Sequence, residues 1–404
     1  MSAAPNPTAD EPSQGPMHCI RFAEPGPPRP AEMPNGAPIW LITRHSDVRQ
    51  VLTDPAFDRA SLYAPDAPRI TDTPNMLGDP DLILNQDGPD HRRLRRTVQR
   101  AFSQRAIARW RPWVASEVER LIDDLIDSGS PADAVASLSQ PLPIAVISKL
   151  MGLEGLDRGR VRHWTDHALS DSARPQQEVA AAMGQFAAFA ATLIAERRSA
   201  PGDDLVSSLL EAADGEGGIP ESHLVTLVCA LVVGGYETTM TVLGNSLVYL
   251  LDTPQEGHWE RLGSDEGAAE RAVEQLLRFI PLGDFSVLPG NMRRAVADVM
   301  VGGVLIPKGS VVAAHSTIAN RDPSVFQPDG QLTDLFAPLG GPHMTFGAGP
   351  HYCLGAWLAR MELQLALHRL AARLPNLRLA EPASTVVWRS GSPTRSPQRL
   401  TVTW

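Results

Sequence analysis

Apolar residues recur every three or four positions over Arg105–Ser128, Gln176–Arg198, Glu221–Leu251 and Glu266–Arg278, the spacing that gathers them on one face of an α-helix. Proline and glycine groups separate these stretches and punctuate the helices. The pattern up to about Pro80 is different, with short β-like pieces such as "PIWLITR" (Pro38–Arg44) set among turns and prolines. Between Asp298 and Ala314, "DVMVGGVLIPKGSVVAA" alternates β-branched residues around Gly302, Gly303 and Gly309, which predicts a hairpin. Helical spacing returns after Cys353, with Leu354, Leu358, Met361 and Leu365 on one face. No internal repeat or clear interdomain linker breaks the run. The expectation is a mainly α fold with small β-sheets, one domain over residues 17–404, preceded by a loose tail at 1–16.

Composition narrows the functional classes. The tail, "MSAAPNPTADEPSQGP", has neither an apolar run nor a basic segment, so no signal peptide or anchor is expected. The longest apolar run, Leu224–Val233, is about half of the roughly 20 residues a bilayer span needs, and reads as a buried helix segment. Three cysteines without framework spacing point to a reducing, cytoplasmic setting. A net charge of -10 over 404 residues argues against a nucleic-acid binder. The charge is uneven, however: His91–Arg111 carries eight arginines and no acid. Such a run is either a solvated helix face or a surface for an acidic protein.

The unusual cysteine is Cys353, in "FGAGPHYCLG". Glycines at 347, 349 and 355 let backbone approach a bulky object, while amide N–H groups and a following helix start favour a thiolate. Zinc would need about four ligands, and only His351 accompanies Cys353 at close spacing. A cysteine nucleophile would want His351 as its base, although two residues apart on an extended turn the side chains diverge. The third option is a thiolate facing a flat macrocycle. Phe346, Gly347, Gly349, His351, Cys353 and Gly355, followed by "LAR" at Leu358–Arg360, resemble the haem-binding pattern of the cytochrome P450 superfamily in its soluble bacterial form.

That resemblance implies a P450 fold with haem b, Cys353 as the proximal iron ligand, His351 bonding a haem propionate and Phe346 beside the sulfur. It matches His91 and Arg95 in "DHRRLR" to propionate-binding residues, four apart on one helix face. It places Arg293 at a third propionate position, with Arg294 an adjacent competitor. "GGYETT" (Gly234–Thr239) matches the distal helix stretch, which implies proton delivery by Glu237 and Thr238 and room above the haem at Gly234 and Gly235. Mid-helix glycines cost about 1 kcal/mol each relative to alanine, so a reason for the pair is expected. Substrate-lining segments implied by the resemblance include Phe285, Val287, Pro393 and Thr394.

The resemblance further implies a monooxygenase that oxidises a small or medium organic molecule in bacterial secondary metabolism. Electrons are expected from NAD(P)H through a separate ferredoxin or flavodoxin and its reductase, with the chain acting as a monomer without membrane or nucleic acid. Oxidative coupling or desaturation is the alternative within the family, and a haem ligand sensor is the alternative outside it. One departure stands out. Where the family has Glu-x-x-Arg, this chain has Gln275-Leu276-Leu277-Arg278, and the family's downstream arginine is replaced near Gly330 and Gln331. Losing both charges is nearly neutral, and Arg278 is expected to be held by the Gln275 carbonyl and backbone oxygens.

Overall fold

The computed structural model describes residues 15–404 apart from 34, 69–75, 154, 156, 171–173, 216–218, 253–256, 284–290, 327–328 and 390. Its helices are α1 (His45–Thr53), α2 (Gly88–Ala101), α3 (Gln104–Ala108), α4 (Arg111–Asp127), α5 (Pro141–Met151), α6 (Arg158–Ala168) and α7 (Gln176–Ser199). They continue as α8 (Leu205–Gly215), α9 (Glu221–Asp252), α10 (His258–Ser264), α11 (Glu266–Phe279), α12 (Ser316–Ala319) and α13 (Ala356–Arg373). Short strands are β1 (Arg29–Glu32), β2 (Pro38–Ile42), β3 (Phe57–Asp58), β4 (Ala132–Asp133) and β5 (Met292–Ala295). The rest are β6 (Val299–Val301), β7 (Val304–Ile306), β8 (Val311–Ala314), β9 (Arg378–Leu379) and β10 (Thr401–Thr403). Helix dominates, and the strands form a five-stranded sheet β1-β2-β8-β5-β3, a three-stranded sheet β4-β10-β9 and the pair β6-β7.

The long helix α9 runs through the core against α5, α6, α7 and α13. Leu224, Leu227, Val228, Val232 and Val233 are buried along its first half, as the apolar run predicts. By length and composition α7 and α9 could each cross a membrane; here α9 is enclosed by its neighbours. On α13, Leu358, Met361 and Leu365 are buried where the helix meets α4, α10 and α11.

Two expectations need correction. The helix expected over Arg105–Ser128 is two, because α3 ends at Ala108 and α4 starts at Arg111 with Pro112 in its first turn. Proline lacks an N–H and fixes φ, so it starts a helix more easily than it continues one. The hairpin region splits as well. β6 and β7 turn at Gly302 and Gly303, whereas β8 runs parallel to β2 and antiparallel to β5. At the start of the described residues, Gly15 O accepts from Arg395 Nη2 at 3.2 Å and Pro16 is buried. Residues 1–14 lie outside the described residues.

Arg278 is held as the sequence predicts. It is 4% exposed, and its Nε donates to Gln275 Oε1 at 3.0 Å. Nη1 donates to Asn320 O at 3.0 Å and Gly330 O at 2.9 Å, and Nη2 to Gln331 O at 3.1 Å. Gln275 Nε2 in turn donates to Ala337 O at 3.0 Å. Burial brings the guanidinium pKa down to about 10, the cost of a cation surrounded by dipoles without a facing carboxylate.

Candidate functional site

The Cys353 loop precedes α13, with Gly355 as the helix N-cap residue. Gly347 and Gly349 adopt φ of 70° and 68°, the left-handed region that glycine enters without strain. A methyl on Gly349 would also stand 2.7 Å from Leu52 O, so the loop requires the bare backbone there. Cys353 N–H donates to Phe346 O at 2.8 Å and closes the loop. Cys353 is accessible, yet burial pushes its thiol pKa up against the Gly355 backbone N–H, Arg95 and Arg360. A side chain that is both reachable and surrounded by protein lines an internal space. The Gly355 N–H, Arg95 and Arg360 work against that burial and favour the thiolate, and a bound metal cation would keep such a sulfur ionised.

Below the loop, Phe346 packs under the Arg360 guanidinium, 4.5 Å from ring centre to Cζ. Arg360 Nε and Nη2 donate to Glu274 of α11 at 2.6 and 3.1 Å, and His343 Nε2 lies 3.4 Å from the same carboxylate. Burial raises the Glu274 pKa, but the His343 and Arg360 hydrogen bonds overcome it and hold the carboxyl at about 2.

A cluster of basic groups lies beside the loop. The His91 and His351 rings stack with centroids 4.3 Å apart. Arg95 Nη2 donates to Tyr352 O, next to the cysteine. Arg293 is 2% exposed; burial first, then Arg59, bring its pKa down to about 9. Strand alternation separates it from its competitor, because Arg294 turns the other way and pairs with Asp66 at 2.7 Å. Burial, followed by the His351 and Arg95 charges, lowers the His91 pKa to about 4. His91 Nε2 is buried without a hydrogen-bond partner among the described residues, an arrangement that asks for an acceptor.

Two further members escaped the sequence. Arg59, fully buried, donates to Asn85 Oδ1 at 2.6 Å and Met292 O at 3.2 Å. Asp87 accepts from the Arg59 and Ala60 backbone N–H groups at 2.6 and 2.9 Å, and contacts His351 Nε2 at 3.0 Å. Burial would raise the Asp87 pKa, yet the bonds from His351 and the two amides hold it at about 2. His351 therefore points to Asp87 and His91, and it does not serve Cys353 as a base. The position of Asp87, immediately before the Gly88-Pro89 start of α2, was the available signal, since an aspartate there would ordinarily cap the helix.

On α9 the two glycines differ. A methyl on Gly234 would meet nothing within 4 Å, whereas one on Gly235 would stand 3.0 Å from Ile147 of α5. Gly234 borders open space and Gly235 permits helix contact. Thr238 Oγ1 donates to Gly234 O at 2.7 Å, a bond to the preceding turn that bends helices. Glu237 is 3% exposed and accepts from Thr394 Oγ1 at 2.7 Å. Thr394, expected at the substrate, thus directs its hydroxyl to Glu237; Pro393 lies beside it, with its carbonyl 2.4 Å from where a Gly283 methyl would be. Phe285 and Val287 lie outside the described residues. A separate groove of about 480 Å³ among Arg100, Arg109, Trp110 and Glu211 shares no residue with this site.

The donor set fits haem: one reachable sulfur, a buried unpartnered imidazole nitrogen, and arginine cations for two carboxylates. Comparison with known proteins agrees. The cytochrome P450 family model matches residues 270–374. A nocardicin C N-oxygenase from Nocardia uniformis subsp. tsuyamanensis is 41% identical over 92% of this chain and 91% of its own length. A mycinamicin IV hydroxylase/epoxidase from Micromonospora griseorubida is 39% identical over 92% and 91%. A solved P450 structure described as having biaryl coupling reactivity superposes with a TM-score of 0.85 at 36% identity, covering 94% of this chain and 93% of that one. With the cysteine loop, the basic cluster and relatives matched over nine-tenths of their length, the chain belongs to the cytochrome P450 family of haem-thiolate monooxygenases.

Proposed function

We propose that the chain uses dioxygen to oxidise a small or medium organic molecule of secondary metabolism, chiefly by inserting one oxygen atom. Cys353 would hold the haem iron, and His91, Arg95, Arg293 and His351 would neutralise the propionates. Phe346, Gly347, Gly349 and Gly355 shape the loop, and Gly234 and Gly235 shape the helix above. When bound, the haem supplies the oxygen activation. The chain's own part is to orient and protonate. The Thr238 hydroxyl is turned to Gly234 O, which leaves its oxygen lone pairs free to accept, and Glu237 would relay protons from behind it. Pro393 and Thr394, with Phe285 and Val287, are proposed to bound the substrate.

Electrons would come from NAD(P)H through a ferredoxin or flavodoxin with its reductase, met by the monomeric chain in the cytoplasm. Exposed Arg92, Arg96, Arg100, Arg105 and Arg109 support docking of an acidic partner, as do Tyr352 and Trp357, exposed next to Cys353. Oxidative coupling without oxygen insertion is the second reading, favoured by the neighbour described as having biaryl coupling reactivity.

The observation that carries the proposal is the accessible sulfur of Cys353 in its glycine loop. In the haem-loaded chain, the reduced carbon monoxide difference spectrum should peak near ~450 nm, and Cys353→Ser should abolish that peak. A peak that survives the substitution overturns the assignment.

A further inference from the structure

Arg389 joins three elements at its guanidinium: the C-terminal hairpin, α6 and α9. It sits in a C-terminal hairpin, where its N–H donates to Ser396 O at 2.8 Å and Trp388 pairs with Pro397. Nη2 donates to Asp166 Oδ1 on α6 at 2.6 Å. Nη1 reaches both carboxylate oxygens of Glu237 on α9, each at 3.3 Å. The hairpin is fixed to α9, since Asn245 Nδ2 donates to Arg395 O at 3.0 Å and Pro397 packs 3.2 Å from where a Gly244 methyl would be.

The distances are unequal in an informative way. Charge-assisted N–H···O bonds close to about 2.7–2.9 Å. The Asp166 bond is that tight and the Glu237 contacts are not. The guanidinium is committed to α6, and Glu237 takes what remains. Thr394 holds Glu237 Oε1 at 2.7 Å, so among the described residues Oε2 has only the loose Arg389 contact. Among the described residues the surroundings also include the cation Arg162, whose Nε lies 3.7 Å from Asp166 and whose guanidinium faces the Gln140 amide, and the titratable Tyr236, whose hydroxyl lies 3.4 Å from that same amide.

We propose that Arg389 is a positioning residue that couples Glu237 to α6: while Asp166 holds the guanidinium, Glu237 Oε2 stays loosely bound and able to exchange a proton. If α6 withdraws Asp166, the planar fork of Arg389 is free to close on Glu237 in a two-bond pair, and the carboxylate is immobilised. The placement of Asp166 on α6 and the freedom of Glu237 are thereby linked through one guanidinium. This rests on the reading of Glu237 as a proton carrier, and the test separates the two.

The test uses the haem-loaded chain in Asp166→Asn, Arg389→Gln, Arg389→Lys and the Asp166→Asn/Arg389→Gln double variant. The infrared carboxylate band of Glu237, identified by its loss in Glu237→Gln, reports the coupling without turnover. Asp166 does not touch Glu237, yet Asp166→Asn should shift that band. With a surrogate ferredoxin system and no substrate, NADPH oxidation should show a solvent isotope effect about twofold larger in Asp166→Asn. Arg389→Gln should move both readouts, the double variant should add nothing to it, and Arg389→Lys should restore part of the wild-type isotope effect. Wild-type band and isotope effect in Asp166→Asn, or additive effects in the double variant, overturn the coupling. An unchanged isotope effect in Glu237→Gln instead overturns the proton-carrier reading, while the band shift still reports the link.

Discussion

Two neighbouring residues of α11 hold arginines in opposite ways. Glu274 grips Arg360 with a carboxylate through two hydrogen bonds of 2.6 and 3.1 Å. Gln275 offers Arg278 an amide oxygen, and three backbone carbonyls complete the shell. The first arrangement is a charge pair at the edge of the cysteine loop. The second is a buried cation solvated by dipoles. A guanidinium has five donors in a fixed fork, and carbonyl groups placed around that fork can replace a carboxylate where sequence has removed it. What they do not replace is the compensating charge, which is why Arg278 has its pKa lowered by burial and Arg360 has its raised, its loss to burial outweighed by Glu274.

The comparison breaks most sharply at Arg278. Arg278→Ala strands four acceptors at once and should cost about 3–5 kcal/mol, seen as a large fall in melting temperature and loss of haem retention. A loss below about 1 kcal/mol would mean the carbonyl shell is not structural.

Glu274→Gln should have the next largest effect, about 1–3 kcal/mol near neutral pH. The folded pKa of Glu274, about 2, lies below its ordinary 4.5. Its contribution is therefore complete above about pH 4.5 and drains away as pH falls toward 2. Melting curves of the wild type and Glu274→Gln should converge over that window, and a gap that persists at the acid end would show that charge is not the cause.

The smallest effect is expected at Gln275. Gln275→Ala removes one acceptor from Arg278 and one donor to Ala337 O, worth about 1–2 kcal/mol. Unchanged melting temperature and haem content would show that the backbone carbonyls suffice alone.

What the sequence disclosed follows from range. The Cys353 loop could be read because its glycines, histidine and cysteine are adjacent in the chain. His91 and Arg95 could be read because one helical turn relates them. α7, α9 and α11 announced themselves through periodic apolar residues, and even the holding of Arg278 followed from counting charges. The break between α3 and α4 was harder, since Pro112 sits inside a continuous arginine-rich pattern. Arg59, Asp87 and Arg389 stayed hidden because their partners lie far away: Asp87 meets His351 across 264 positions and Arg389 meets Asp166 across 223. Apart from the place of Asp87 at the start of α2, nothing local distinguishes such residues from ordinary surface charges. Arg293 and Arg294 could be told apart only once β5 had its neighbours.

The unequal glycines of α9 set different limits on variation. At position 234 an added methyl meets nothing within 4 Å, so Ala and then Ser should be accepted without rebuilding the helix, and on the proposed reading each step would narrow the room offered to a substrate. At position 235 the same methyl would stand 3.0 Å from the tip of Ile147, which must yield before any side chain is accepted, so two adjacent glycines of one helix carry unequal tolerances.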